Sequence, residues 1–360
     1  MSIVASFEIE YLQYLDAAGK LVRDDVPAFA RDVRQLVELY KLMTFTRVFD
    51  GKAIALQRTG KLGTYASCLG MEAAYVAIGS AMTEDDVFAP FYRDYGAQFY
   101  RGVKAREVLM YWGGDERGNN FSGPAHDFAW SVPIATQTLH AAGAALAFKI
   151  RKEPRVAVST VGDGGTSKAD FYAAINAAGA MTLPAVFVII NNQYAISTPR
   201  SMQTGAKTLA QKGIAAGIES VQVDGNDLIA MRVALEHAIK RARHGHGASL
   251  IEAITYRLSD HTTADDARRY RDEKEVKAAW ENEPIRRLRA YLAGMNAWSD
   301  EDERALQDDC ATRVDVEVNA YLETKPQGIA AMFDHTYAEL PLDLERQRAA
   351  AISTRARQGE

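Results

Sequence analysis

The chain has 360 residues, 48% of them hydrophobic and 25% charged, a balance that suits a globular protein long enough to bury a large core. Its formal net charge of −5 gives no electrostatic basis for binding nucleic acid or an anionic membrane. Cys68 and Cys310 lie far apart with no Cys-x-x-Cys or zinc spacing, neither reads as a nucleophile, and no apolar run approaches a membrane span.

Residues 1–30 carry Phe7, Ile9, Tyr11, Leu12, Tyr14 and Leu15, too many apolar groups for a free segment, and read as an arm lying on the body or on a partner. Residues 31–58 follow a helical pattern, with Val33, Leu36, Val37, Tyr40 and Met43 on one face. A glycine-punctuated turn at 60–65 leads to a second helix over 70–82. The apolar run from Val87 ends at Tyr92-Arg93, which puts a hydroxyl and a guanidinium beside a strand terminus where a diphosphate is clamped well. The rival reading there is a surface arginine pairing with Asp94. Residues 113–127 form a polar, glycine-rich loop in which His126 faces either the cleft or solvent. Ser131 to Gln137 then open a small-residue helix over 138–149.

Residues 155–199 read as strand, helix and strand: a β-branched run at 156–161, a helix beginning around 166–168 and ending near Ala180, and a second apolar run at 185–190. Adjacent strands joined by a helix are parallel, so Asp163 and Asn192 leave the sheet at one edge, where open parallel sheets bind their ligands. The glycines of Gly162-Asp163-Gly164-Gly165 allow close backbone approach to a phosphate. A carboxylate and an amide oxygen without sulfur or imidazole form a hard ligand set, suited to Mg²⁺ bound together with phosphates. Two rivals are an ordinary strand-to-helix turn and a nicotinamide-dinucleotide fold. The latter lacks its third glycine, because Ser167 follows.

Further on, residues 220–223 read as a strand, 228–243 as an amphipathic helix and 249–256 as another strand, so the rhythm is that of a doubly wound parallel α/β sheet. Arg257 and His261 follow in a charged loop, where His261 alone titrates near neutrality. The remainder is helical: residues 273–282, 284–292 and, capped by Ser299 with Asp302, 303–322, whose Leu306, Cys310, Val314, Val318 and Leu322 share a face. Beyond Leu342 the polar chain is expected to fray. Three regions are thus expected: an arm at 1–30, an α/β domain at 31–272 and a helical region at 273–360. With no basic segment followed by an apolar one at the start, a cytoplasmic location is expected.

Gly162-Asp163-Gly164, a spacer of residues 165–190, and Asn191-Asn192-Gln193-Tyr194-Ala195-Ile196-Ser197-Thr198-Pro199 together resemble the alpha subunit of the thiamine diphosphate-dependent decarboxylating component of 2-oxo acid dehydrogenase complexes. The resemblance implies that thiamine diphosphate meets Tyr92, Arg93, Ile134, Gly162, Asp163, Gly164, Gly165, Asn192, Tyr194, Ile196, Arg257 and His261. It implies Mg²⁺ on Asp163, Asn192 and the carbonyl of Tyr194, and K⁺ on Ser131, Pro133, Thr136 and Gln137. Tyr256-Arg257 followed by His261-Thr262-Thr263 is similar to the family's active-site loop, which makes His261 the catalytic candidate. Val132, Lys168-Ala169 and Ile190 depart from the family's pattern, and Thr262 stands where some mitochondrial relatives carry a regulatory phosphoserine.

The implied activity is oxidative decarboxylation of a 2-oxo acid with acyl transfer to lipoyl groups. A beta subunit is expected to supply the glutamate that activates the cofactor, in an assembly of two alpha and two beta chains docked on a dihydrolipoyl acyltransferase core. Residues 60–73 look like pyruvate-type subunits, whereas residues 223–227 and the length of the loop 261–271 look like branched-chain ones. Pyruvate is the substrate taken, with 3-methyl-2-oxobutanoate as the alternative. A rival from another class is a scaffold that keeps the fold and binds no cofactor.

Overall fold

β-branched runs that are apolar on both faces are satisfied only between two layers of helices. The computed structural model, which describes residues 1–358, has such runs in the middle of its sheet. Its strands are β1 (Tyr11–Leu12), β2 (Val87–Ala89), β3 (Ala157–Gly162), β4 (Ala185–Asn191), β5 (Tyr194–Ala195), β6 (Thr198–Pro199), β7 (Glu219–Asp224) and β8 (Ser249–Ile254). Six of them form one parallel sheet in the order β1-β7-β8-β4-β3-β2, and β5 and β6 pair as a separate antiparallel hairpin.

The central strand β4 shows the two-sided burial directly. Val186, Val188 and Ile190 enter one core, with the helices Glu72–Ala81 and Leu228–Arg243, while Ala185, Phe187 and Ile189 enter the other, with Thr136–Arg151 and Ala169–Ala180. The register pairs Gly162 with Ile190, so β3 and β4 end together. Asp163 and Asn192 therefore emerge side by side at the carboxyl edge.

The N-terminal arm is tied down by backbone groups, which no side-chain pattern reveals. Tyr11 and Leu12 pair with Gln222 and Val223 as an edge strand, a pairing that the sequence pattern does not anticipate. Buried Asp227 caps the helix Leu228–Arg243 with one oxygen and accepts the N–H groups of Tyr14 and Leu15 at 2.6 Å with the other. Next to it, buried Arg287 donates to Asp224 at 2.6 Å and to the Leu15 carbonyl at 3.2 Å. The arm, the sheet edge and the helix Pro284–Gly294 thus share one polar knot.

Four boundaries differ from the sequence reading. A tight 3₁₀ turn over Asp163–Ser167 precedes the helix Ala169–Ala180, because the chain must turn sharply off β3. The strand from Ser249 stops at Ile254, two residues short of Tyr256. The capped helix begins at Asp300, since Ser299 and Asp302 bond reciprocally, and its Leu306, Cys310, Val314 and Val318 are buried while Leu322, at the frayed end, is 45% exposed. Residues Leu342–Gln358 are a helix where fraying was expected: the segment is polar but rich in Leu, Glu, Gln, Arg and Ala, all strong helix formers, and an Arg348–Asp334 ion pair at 2.7 Å anchors it. No helix among the described residues is long and apolar enough to cross a membrane.

Truncating Arg287 to Ala leaves Asp224 buried without its cation. This is expected to cost about 3–5 kcal/mol, read as a lower denaturant midpoint in chemical unfolding. Wild-type stability in that variant would show the knot to be dispensable.

Candidate functional site

The carboxyl edge of β3 and β4 gathers residues from five separate segments. Tyr92 and Arg93 follow β2 and are 8% and 1% exposed. Arg93 does not pair with Asp94. It donates to the Ser67 carbonyl at 2.6 Å, to the His261 carbonyl at 2.5 Å and to His261 Nδ1 at 3.1 Å. Asp94 instead accepts the Phe91 N–H at 2.7 Å and the Thr160 hydroxyl. Burial with few partners raises the Asp94 carboxyl to about 8.

Arg257, fully buried, is the second guanidinium. It donates to the carbonyls of Tyr194 at 3.2 Å and Ile196 at 2.8 Å, to the Tyr270 hydroxyl at 2.8 Å, and lies 3.4 Å from His261 Nδ1. Its pKa is lowered by burial first and by Arg93 second. Neither arginine forms an ion pair with a carboxylate among the described residues. The pair is a cationic centre that meets its nearest carboxylate, Asp265, only through the Tyr270 hydroxyl.

His261 takes its chemistry from that setting. Burial, then Arg93 and Arg257, push its pKa down from 6.5 to about 3, so the ring is neutral at pH 7. A guanidinium only donates, so Nδ1 accepts and the ring proton sits on Nε2. The backbone N–H of His261 is held by Asp265 at 2.9 Å. The residue thus offers a neutral Nε2–H donor.

Asp163 is 1% exposed, and burial raises its pKa above the usual 3.8. Asn192 is also buried; its Oδ1 accepts the Tyr194 N–H at 3.3 Å and its Nδ2 approaches Met71 Sδ at 3.8 Å. Asn191 points to the opposite face, bonded to Glu252 at 2.7 Å, so only one of the paired asparagines serves the crevice. Tyr194, Ile196 and the hairpin β5–β6 lie over the glycine turn. Gln193 and Ile196 both have positive φ, 75° and 56°, and the Arg257 bond to the Ile196 carbonyl helps hold the second of these strained residues.

Two of the glycines also answer a packing demand. A Cβ on Gly164 would run into the Ala195 Cβ, and one on Gly165 would lie 2.5 Å from Val161 Cγ2 and 3.1 Å from Ile134 Cγ2. Gly162 meets only the Phe91 ring, at 3.7 Å. Ile134 is thereby placed against the turn, beside Tyr92 and Phe91.

Of the residues expected to hold a second cation, Gln137 is buried, donates to the Thr160 carbonyl at 2.8 Å, and keeps an Oε1 with no partner. Ser131 and Pro133 lie on the preceding turn, where Ala135 takes φ 70°, and Thr136 opens the helix that carries Gln137. His126 sits elsewhere, in a groove with Thr83 and Arg101 at the amino end of β2.

The donor set fits a hard divalent cation. Asp163 brings a single carboxylate, Asn192 and Tyr194 bring neutral oxygens engaged only in long hydrogen bonds, and no cluster of three His, Cys, Asp or Glu side chains occurs among the described residues. Sequence reasoning missed Gln203, which reaches Asp163 from the far side of the hairpin, and the Ser67 carbonyl that aims Arg93. Neither lies in a recognisable motif.

Comparison with known proteins places these residues in context. The profile of the family described as dehydrogenase E1 component matches residues 40–329. The chain is 38% identical over 338 residues to the pyruvate dehydrogenase E1 component subunit alpha of Acholeplasma laidlawii, covering 92% of this chain and 96% of that one. It is 39% identical over 342 residues to the protein of the same name from Staphylococcus aureus, covering 94% and 92%.

Two outcomes follow from this geometry. The ring signals of His261 are expected not to titrate between pH 5 and 8 in nuclear magnetic resonance, and a midpoint near 6.5 would contradict the burial described. Because the unfolded histidine binds a proton below 6.5 that the folded one refuses until about 3, His261 destabilises the fold progressively as pH falls through that window. Separately, Gly164→Ala must displace the hairpin that carries Tyr194, and is expected to lower cofactor-dependent kcat/KM by about 10²-fold.

Proposed function

The chain belongs to the dehydrogenase E1 component family, and from that premise we propose that it is the alpha subunit of a 2-oxo acid dehydrogenase complex, with pyruvate as its 2-oxo acid. The observation that carries this reading is the pair of buried guanidiniums, Arg93 and Arg257, set beside a single buried carboxylate, Asp163. Two cations with no directly paired carboxylate favour an anion, and one carboxylate among neutral oxygens suits a divalent cation. A magnesium diphosphate supplies both.

The family is thiamine diphosphate-dependent, and that cofactor supplies the nucleophilic carbon and electron sink that decarboxylation requires. In this chain Arg93 and Arg257, with Tyr92, neutralise the diphosphate. Asp163, Asn192 and the Tyr194 carbonyl hold Mg²⁺, while Ile134 and Ile196 present apolar surface to the rings. Neutral His261 has an Nε2–H donor free of the arginines, which would stabilise negative charge developing beside it. The partnerless Gln137 Oε1, with Ser131, Pro133 and Thr136, supports a K⁺ site that stiffens the turn bearing Ile134.

An alpha subunit works with a beta subunit and a lipoyl acyltransferase core. We place two alpha and two beta chains in the assembly, with the cofactor-activating glutamate on beta. Val132, Ile196 and Met202, on segments bordering the crevice, are 50%, 56% and 77% exposed, which suits burial by that partner. The arm at 1–30, the α/β domain at 31–272, the helical region at 273–360 and a cytoplasmic location remain part of the proposal.

The test is Mg²⁺-dependent decarboxylation with an artificial electron acceptor, using this chain purified with its beta partner. Turnover of pyruvate above 3-methyl-2-oxobutanoate, requiring both chains, is expected; preference for the branched acid would move the chain to the branched-chain group. Asp163→Ala is expected to lower kcat/KM by about 10²-fold or more without preventing assembly. Absence of activity with both acids, together with no thiamine diphosphate binding, would refute the reading.

A further inference from the structure

Asp163 has one side-chain donor among the described residues, and it comes from a residue that no motif singles out. Gln203, the last residue of the short helix Arg200–Gln203, sends Nε2 to Asp163 Oδ2 at 2.5 Å and to the Thr198 carbonyl at 3.1 Å. Its Oε1 is buried and has no partner. One amide thus joins the 3₁₀ turn Asp163–Ser167 to the β6 side of the hairpin β5–β6, while Arg257 holds the β5 side through the carbonyls of Tyr194 and Ile196.

A role limited to stapling the hairpin accounts for the bonds to Thr198 and Asp163 and leaves the partnerless Oε1 unexplained. The bond to Asp163 is part-buried and occupies one of the two carboxylate oxygens, which fixes the orientation of the other. A buried acceptor without a donor costs free energy that a chain can avoid with an apolar side chain. Mg²⁺ held by few protein ligands keeps bound waters, and such a water is the kind of donor that Oε1 lacks. Carboxylates that bind metals are commonly oriented by an outer hydrogen bond of this sort.

We propose that Gln203 is a positioning residue for the divalent cation: its amide N–H orients the Asp163 carboxylate and its Oε1 faces the cation's hydration shell. The inference rests on the magnesium diphosphate reading above. It makes the segment 193–203 a unit whose placement and metal affinity are set together, with Arg257 at one end and Gln203 at the other.

The experiment uses the assembled alpha–beta enzyme, titrating Mg²⁺ at saturating thiamine diphosphate and following cofactor binding by calorimetry and turnover in parallel. In Gln203→Met the half-saturating Mg²⁺ concentration is expected to rise roughly 10–100-fold, with kcat returning to near wild type once Mg²⁺ saturates. Gln203→Asn, which keeps the amide but falls short of Asp163, is expected to shift the same way and serves if the first variant does not assemble. An unchanged Mg²⁺ requirement, or a lowered kcat that Mg²⁺ does not restore, would reduce Gln203 to a hairpin staple and overturn the proposal. Wild-type enzyme that binds no thiamine diphosphate at any Mg²⁺ concentration would instead refute the functional reading, and this inference with it.

Discussion

Two guanidinium groups buried against one imidazole, with no carboxylate paired directly to either, are the constraint around which this chain is arranged. Arg93 and Arg257 approach His261 Nδ1 at 3.1 and 3.4 Å, and each satisfies its remaining N–H groups mainly on main-chain carbonyls. Such a centre is tolerable because carbonyls spread the charge, and it favours an anion because carbonyls do not cancel it. The depressed pKa of His261 follows from burial first and from this cationic field second.

Much of the surrounding structure serves to aim those two arginines. Buried Asp50, on the helix Val33–Arg58, accepts the Tyr65 hydroxyl at 2.9 Å, the Ser67 hydroxyl at 2.5 Å and the Cys68 N–H at 2.8 Å, and so shapes the segment whose Ser67 carbonyl receives Arg93. The same segment bonds to the active-site loop through Tyr65 and Thr263. On the other side, Asp265 and Tyr270 fix His261 and Arg257 from within their own loop. The parallel register of β3 and β4 then sets Asp163 and Asn192 opposite this cationic wall. Charges of both signs are thus held in a buried region, where water screens them little.

What the sequence discloses, and what it hides, follows from which groups do the holding. The strand–helix–strand unit is legible because its apolar runs must be buried on both faces, and parallel pairing then forces Asp163 and Asn192 to one edge. The partners of Arg93 and Arg257 are not legible, because main-chain carbonyls carry no side-chain signature. For the same reason β1 escapes notice: two residues of backbone pairing leave no periodic trace. Gly164 is visible as a glycine, yet the close packing at it comes from Ala195, which only the fold brings near. Gln203 is an amide on a short helix beyond a hairpin, and nothing local separates it from any other surface glutamine. The helix Leu342–Gln358 was obscured by reading polarity as fraying, when its residues are good helix formers.

The central claim is that the cationic pair exists to receive a diphosphate. The most direct measurement compares thiamine with thiamine diphosphate, each titrated by calorimetry into the assembled alpha–beta enzyme in the presence of Mg²⁺. The account predicts that the diphosphate form binds tighter by at least about 10²-fold, an effect equivalent to about 2.7 kcal/mol. Equal affinity for the two compounds would show that Arg93 and Arg257 are structural and that the anion they were assigned is the wrong one.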